Sequence, residues 1–181
     1  MDSMEAADWE GLTHVYYGNG KGKTTAALGM ALRASGQGLK VVIVQFLKNA
    51  PTGELVQFSG IPNVRVIRGT AGGFVRSMSD EQKEITRKMQ NDHLKEAMAL
   101  VKMGQCDMLV LDEVLDAYQL DMLDGDLLRE IVCAKPEGLE LVITGHEPVD
   151  WIMDNADYIT EMKKWRHPFD KGVGARKGIE M

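Results

Sequence analysis

A glycine-rich segment, Gly18–Thr25, separates an apolar run typical of a β-strand, Leu12–Tyr17, from a helical pattern that begins at Ala26. This order of strand, turn and helix is typical of a phosphate-binding loop, because the turn presents backbone N–H groups and a helix N-terminus to an anion. A glycine-rich turn that binds nothing is the simpler alternative. The Gly-Lys-Thr sequence between strand and helix favours phosphate binding, and we expect the helix to end near Ala34.

Two side chains of this loop are candidates for contact with a polyphosphate and its metal. Lys23 would contact phosphate oxygens, and the Thr24 hydroxyl would bind a magnesium ion. The loop is also short. The usual pattern puts its first glycine at the position that Tyr17 holds here, whereas the nearest glycine is Gly18. A tighter loop would hold a triphosphate differently from an ordinary kinase or ATPase.

Apolar runs and helical patterns alternate along the rest of the chain. Strands are predicted at Lys40–Phe46, Val64–Ile67, Asp107–Glu113, Leu139–Thr144 and Tyr158–Met162, and helices from the Ser79–Gln82 capping box to about Met103, near Asp126–Cys133 and at Pro148–Asn155. Such alternation predicts an α/β fold, a mostly parallel open sheet with helices on both faces. Ligands bind such sheets at the carboxyl ends of the strands.

Length and composition restrict the class of protein. The 181 residues predict one domain over residues 1–181, with residues 1–10 as a mobile N-terminal segment. A net charge of −6 argues against a nucleic acid or an anionic membrane as the main partner. The two cysteines form no Cys-x-x-Cys pair, no apolar run is long enough to cross a bilayer, and no signal peptide is visible. We therefore expect a cytoplasmic protein.

Two carboxylates, Asp112 and Glu113, end the predicted fourth strand. Asp112 could hold magnesium directly or through water, and Glu113 could activate a water or bind a ribose hydroxyl. The alternative is a pair of carboxylates stabilised by the dipole of a following helix. A phosphate-binding loop upstream favours the functional interpretation, although the two roles could be exchanged.

Weaker candidates follow later breaks in the pattern. His146 and His167 could face a ligand, and Arg166 lies in a small basic cluster with Lys163 and Lys164. That cluster is either a solvated surface or, beside a triphosphate, an anion clamp. These residues leave open which reaction the nucleotide undergoes.

Short motifs spread over most of the chain occur in the order of a known family. They are Gly18–Thr25, Val44–Lys48, Gly53-Glu54, Gly73-Phe74, Val110–Glu113, Ile143–Gly145, Ala156–Met162, His167–Phe169, Gly172-Val173 and Ala175–Glu180. With them, the chain from about Leu12 to Met181 resembles the corrinoid adenosyltransferases of the ATP:cob(I)alamin (cob(I)yrinic acid a,c-diamide) type. The C-terminal motifs are the most specific, because generic P-loop ATPases lack them.

The resemblance implies an activity and its cofactors. A Co(I) corrinoid would attack C5′ of ATP, and inorganic triphosphate would leave, with Mg²⁺ as the metal. The family has a RecA-like P-loop fold, is usually homodimeric, and would need an electron donor such as a flavodoxin or a flavin reductase. An ordinary P-loop phosphotransferase or ATPase, or a non-enzymatic nucleotide- or cobalamin-binding protein, is the alternative.

The resemblance also implies roles for individual residues. Lys23, Thr24 and Glu113 would be catalytic, and Thr24 and Asp112 would serve the metal. The ligand-binding residues would be Gly18, Asn19, Gly20, Lys21, Gly22, Lys23, Thr24, Thr25, Phe74, Arg76, His146, Arg166 and His167. Phe74 matches an aromatic residue on the corrin side. The chain departs from the family at Arg76, where some members have tryptophan, and at His146, where many have arginine.

Overall fold

A computed structural model describes residues 10–48, 52–69 and 75–179. Phe74 and residues 1–9 of the predicted N-terminal segment lie outside these ranges. The described chain forms six strands, β1 Thr13–Tyr17, β2 Val41–Gln45, β3 Val64–Arg68, β4 Met108–Asp112, β5 Glu140–Thr144 and β6 Tyr158–Glu161. They make one sheet in the order β3-β2-β4-β5-β1-β6, and every neighbouring pair is parallel. The predicted α/β class is confirmed.

Six α-helices accompany the sheet in the described residues. They are α1 Lys23–Gly36, α2 Gly53–Phe58, α3 Asp80–Lys102, α4 Val114–Gln119, α5 Gly125–Cys133 and α6 Asp150–Met153, with short 3₁₀ turns at Val75–Ser77 and Pro168–Lys171. The capping box predicted at the start of α3 is confirmed, because the Ser79 side chain accepts from the Gln82 N–H and the Gln82 side chain accepts from the Ser79 N–H. Helices α2 and α4 were not predicted.

The helices cover both faces of the sheet, as predicted. On one face, α1 packs Ala27, Leu28 and Ala31 against β2, β4 and β5, and α2 adds Phe58. The other face carries the larger core, which α3, α4, α5 and α6 build together. All residues of β2 and β4 are buried, in keeping with their continuous apolar sequence.

The strand order brings three loops to one edge of the sheet. β5 lies between β4 and β1, so the segments that follow these strands are spatial neighbours. The Gly18 N–H after β1 donates to the His146 carbonyl after β5 at 2.8 Å, and the Gly145 N–H donates to the Tyr16 carbonyl at 3.2 Å. The loop Gly18–Thr25 is thereby fixed at the carboxyl edge, where such sheets bind ligands. None of the described helices is both long and apolar enough to span a bilayer.

Candidate active site

The glycine-rich loop is shaped by its contact with the chain that follows β6. Gly18 and Gly22 have φ values of 107° and 118°, which favour glycine. A Cβ atom on Gly18 or Gly20 would lie 2.6 or 2.5 Å from the Met162 carbonyl oxygen. The Gly20 N–H donates to that oxygen at 2.6 Å. Asn19 Oδ1 accepts from the Lys164 N–H at 2.8 Å, so the loop is closely held from one side.

The loop wraps around the ammonium group of Lys23. Its Nζ atom donates to the carbonyl oxygens of Gly18 at 2.6 Å and of Gly20 at 2.8 Å. Burial lowers the pKa of Lys23, although Asp116, Glu113 and Asp112 act in the opposite direction. Lys23 is also the first residue of α1, so the loop leads directly into a helix N-terminus, whose backbone N–H groups favour an anion.

Asp112, the last residue of β4, is completely buried and joins three elements. Its Oδ1 accepts from the hydroxyls of Thr24 at 2.8 Å and Thr144 at 2.9 Å. Its Oδ2 accepts from Gln45 Nε2 at 3.3 Å. A buried carboxylate needs such partners. The contacts therefore tie the start of α1 to the ends of β2, β4 and β5.

Lys48 supplies the positive charge that balances this carboxylate. Its Nζ atom lies 2.6 Å from Asp112 Oδ2, 3.3 Å from Glu113 Oε1 and 3.3 Å from Thr24 Oγ1. Burial alone would lower the pKa of Lys48, but the carboxylates of Asp112 and Glu113 outweigh it and raise the pKa. Lys48 follows Leu47, whose φ of 58° turns the chain after β2.

Glu113 stands at the junction of β4 and α4 in a left-handed conformation, with φ 64°. Its N–H donates to Thr144 Oγ1 at 2.8 Å. Burial raises the pKa of Glu113, and the neighbouring Lys48 only partly offsets this. Glu113 is the N-cap residue of α4, so it holds the helix N-terminal position that the alternative interpretation assumed. Its side chain also lines the cavity, as the functional interpretation requires.

His146 is paired with Asp116, a residue that the sequence did not single out. The Nδ1 atom of His146 lies 2.9 Å from Asp116 Oδ1, and the His146 N–H donates to Asp116 Oδ2 at 3.1 Å. The hydrogen bond to Asp116 raises the pKa of His146 despite burial and the nearby charge of Lys23. Asp116 therefore favours the protonated form of His146.

These groups surround one cavity of about 630 Å³. Ten predicted residues line it, namely Asn19, Gly20, Lys21, Gly22, Lys23, Thr24, Thr25, Glu113, His146 and His167. Asp112 lies behind this wall. Arg76 and Arg166 are exposed and do not line the cavity. Lys48, Thr52, Glu54 and Ile179 line it as well and were not among the predicted site residues.

The donors in this cavity fit a hard cation bound together with phosphate. Thr24, Asp112 and Glu113 supply oxygen atoms around a single point of positive charge, which Lys48 Nζ holds in this structure. No group of three or more His, Cys, Asp or Glu side chains suited to a metal occurs in the described residues. Magnesium is typically held by one or two carboxylates together with substrate phosphates. These oxygen donors are therefore of the kind that would hold a hard cation whose remaining ligands are phosphate and water.

The parallel sheet, the glycine-rich loop and the buried acidic strand end define a P-loop nucleotide-binding protein of the α/β class. Residues 9–181 match the family described as ATP:corrinoid adenosyltransferase BtuR/CobO/CobP, and the chain belongs to that family. The resemblance drawn from the sequence motifs is confirmed.

Individual relatives agree with this assignment. The corrinoid adenosyltransferase of Pseudomonas aeruginosa is 34% identical over 177 residues, which cover 97% of this chain and 86% of that protein. The corrinoid adenosyltransferase of Escherichia coli K12 is 33% identical, covering 97% and 88%. The corrinoid adenosyltransferase CobA of Salmonella typhimurium is 34% identical with the same coverage. An ordinary phosphotransferase or ATPase is not favoured by these matches.

Proposed function

We propose that the protein transfers the 5′-deoxyadenosyl group of ATP to the Co(I) centre of a corrinoid. A Co–C5′ bond forms while the bond between C5′ and the triphosphate oxygen breaks, and inorganic triphosphate leaves. The observation that carries the proposal is the cavity that brings the short phosphate loop, Lys23 and the carboxylate pair together in a member of this family.

The loop would stabilise the leaving triphosphate. Co(I) is already a strong nucleophile, so the reaction needs no general base, and the protein has to hold C5′ in line and to balance the developing negative charge. Lys23 and Lys21 supply cations on the cavity wall, and Asn19 and Thr25 supply polar side chains. The N-terminus of α1 adds backbone donors directed at the same anion.

Magnesium, when bound, would neutralise part of the triphosphate charge. Thr24 and Glu113 line the cavity and would face the metal, whereas Asp112 lies buried behind Thr24. Asp112 would then act through the Thr24 hydroxyl, with which it shares a hydrogen bond of 2.8 Å, and through water. The two carboxylates thus have different proposed roles, because Asp112 is buried and Glu113 lines the cavity. Of the two, Glu113 would lie closer to the nucleotide.

The corrin is proposed to lie where the C-terminal residues border the cavity. His167 and Ile179 line it, and the exposed apolar side chains of Trp165 and Phe169 are each two residues from His167 in sequence. Phe74, Arg76 and Arg166 remain proposed contributors on the corrin or phosphate side. By the same family resemblance we propose one domain, a cytoplasmic homodimer, and a flavodoxin or flavin reductase as the electron donor.

An anaerobic assay with ATP, Mg²⁺ and chemically reduced cobalamin tests this function. Loss of the Co(I) absorption, appearance of a light-sensitive Co–C product and release of triphosphate are expected. ADP and phosphate as the only products would refute the proposal and restore the phosphotransferase alternative. Comparison with an earlier corrinoid in the same assay then assigns the preferred substrate.

A further inference from the structure

Lys48 occupies the point at which the three residues proposed to serve the metal converge. Its ammonium nitrogen is within 3.3 Å of an oxygen atom from each of Thr24, Asp112 and Glu113. Its side chain retains 21% of its accessible surface and borders the cavity beside the phosphate loop. The same cation therefore contacts the buried carboxylate on one side and the nucleotide space on the other.

We propose that Lys48 is a tethered cation that keeps divalent metal from this site until metal and nucleotide arrive together, and that its ammonium then moves to the triphosphate. The inference rests on the proposed Mg²⁺–ATP site. To the proposed function it adds a positioning residue and an order of binding. In that order, Mg²⁺ does not bind to the protein before the nucleotide does.

The charges give the physical reason. A divalent ion entering alone would meet the Lys48 ammonium at close range, where like charges repel strongly in a partly dehydrated site. Displacing the ammonium without a new partner would also break its ion pairs with Asp112 and Glu113. The triphosphate of a metal–ATP complex supplies that partner in the same cavity. Lysine suits such a movement, because its compact charge sits on a flexible four-carbon stem.

A fixed structural ion pair is the competing explanation for the same contacts. Both explanations predict that removal of the lysine destabilises the protein, because two carboxylates lose their counter-charge. The two explanations differ in whether the nucleotide-free site binds a divalent ion once the lysine is removed. If Lys48 excludes the metal, its removal creates a metal site in the nucleotide-free protein, whereas removal of another cavity lysine does not.

The two explanations are compared by titrating the nucleotide-free protein with Mn²⁺ and following the bound ion by electron paramagnetic resonance. Wild type, Lys48→Met and the control Lys21→Met are used, since Lys21 lines the same cavity and its loss changes the charge equally. We expect Lys48→Met to bind Mn²⁺ at least about tenfold more tightly than both other proteins, as for a lost neighbouring charge. Equal affinity in all three proteins, or equal gains in both variants, would overturn the inference.

Two further measurements separate the possible failures. Wild type with ATP should give a Mn²⁺ spectrum that differs from that of Mn²⁺–ATP without protein, and the absence of such a difference would refute the proposed metal site and with it the role of Lys48. Lys48→Arg keeps a cation and therefore the fold, but its planar group holds carboxylates with paired hydrogen bonds. We expect Mg²⁺–ATP to bind it about tenfold more weakly by calorimetry, since an extra bond must be broken. Unchanged affinity would indicate a fixed ion pair.

Discussion

At the scale of single residues, the charged groups of the site already have partners of opposite charge or hydrogen-bond partners before any ligand binds. Asp112 is fully buried, and its two oxygens are satisfied by hydroxyls, an amide and the ammonium of Lys48. Lys23 is held by the carbonyls of its own loop. Apart from the movement proposed for Lys48, the loop and Lys23 are in place before an anion binds, which is the condition under which electrostatic stabilisation of a leaving group is effective.

Replacement of Lys23 by alanine should abolish most transfer activity while the protein still folds. The variant loses the cation nearest the loop carbonyls of Gly18 and Gly20, and we expect kcat to fall by about 100-fold or more, as when a transition-state donor is removed. Steady-state kinetics with chemically reduced cobalamin measure the loss, and circular dichroism checks the fold. Lys102→Ala, an exposed lysine on α3, is the control. Activity retained in Lys23→Ala would contradict the assigned role.

The His146–Asp116 pair should make stability depend on pH. The pKa of His146 is raised in the folded protein above its ordinary value of 6.5, so protonation favours the folded state. The stabilisation is fully present below pH 6.5 and is lost as the pH rises through the raised folded pKa. Urea unfolding should therefore show that Asp116→Asn destabilises the protein more at pH 6 than at pH 8. A destabilisation independent of pH would exclude this coupling.

At the scale of elements, all strands were predicted, and so were α1, α3, α5 and the four-residue helix α6, whereas the six-residue helices α2 and α4 were not. β2 and β4 are continuous apolar runs, and α3 starts at a capping box, so each carries its own signal. Helices α2 and α4 have six residues each and too few turns to show a helical period. The predicted fourth strand was one residue too long at each end, and at its C-terminal end the reason is that Glu113 turns left-handed and caps α4.

The contacts of the site were less predictable than its loop. Lys23 and Thr24 are recognisable because a local pattern defines them. Lys48 and Asp116 act through partners 64 and 30 residues away, and these pairings depend on strand order and on the turn at Leu47. The spacing of residues within a short sequence motif cannot predict contacts between residues so far apart in the chain. Thr144 was likewise visible only as the end of a strand, although its hydroxyl links Asp112 to the Glu113 N–H.

Two glycines of neighbouring elements offer a matched test of loop packing. A Cβ atom at Gly20 would lie 2.5 Å from the Met162 carbonyl oxygen, whereas one at Gly29 in α1 meets no atom within 4 Å. Gly20→Ala should destabilise the protein and displace the loop, lowering ATP affinity. Gly29→Ala should instead stabilise it by about 0.5–1 kcal/mol, the usual gain within a helix. Urea unfolding measures the change in stability, and calorimetry measures the change in ATP affinity. Equal free energies of unfolding in the two variants would exclude the close contact.

At the scale of the whole molecule, the ligand site joins distant parts of the sheet. β4 and β1 are separated by β5, yet Thr24 after β1 reaches Asp112 at the end of β4 through the space beside Thr144. A nucleotide bound to the loop would therefore add contacts to the ends of several strands at once. Its binding free energy should stabilise the fold globally rather than only the loop, by the linkage between binding and unfolding.

The two cysteines allow this global coupling to be measured. Cys106 is buried, and burial raises the pKa of its thiol to about 12, so it should react with a thiol reagent only when the core opens. Cys133 is exposed and should react at once, so Cys133→Ser leaves Cys106 as the reporter. Mg²⁺–ATP at about 100 times its dissociation constant should slow Cys106 labelling by about 100-fold, equivalent to about 2.7 kcal/mol. Labelling that is unaffected by saturating nucleotide would show that Cys106 opens locally, without unfolding of the ligand site.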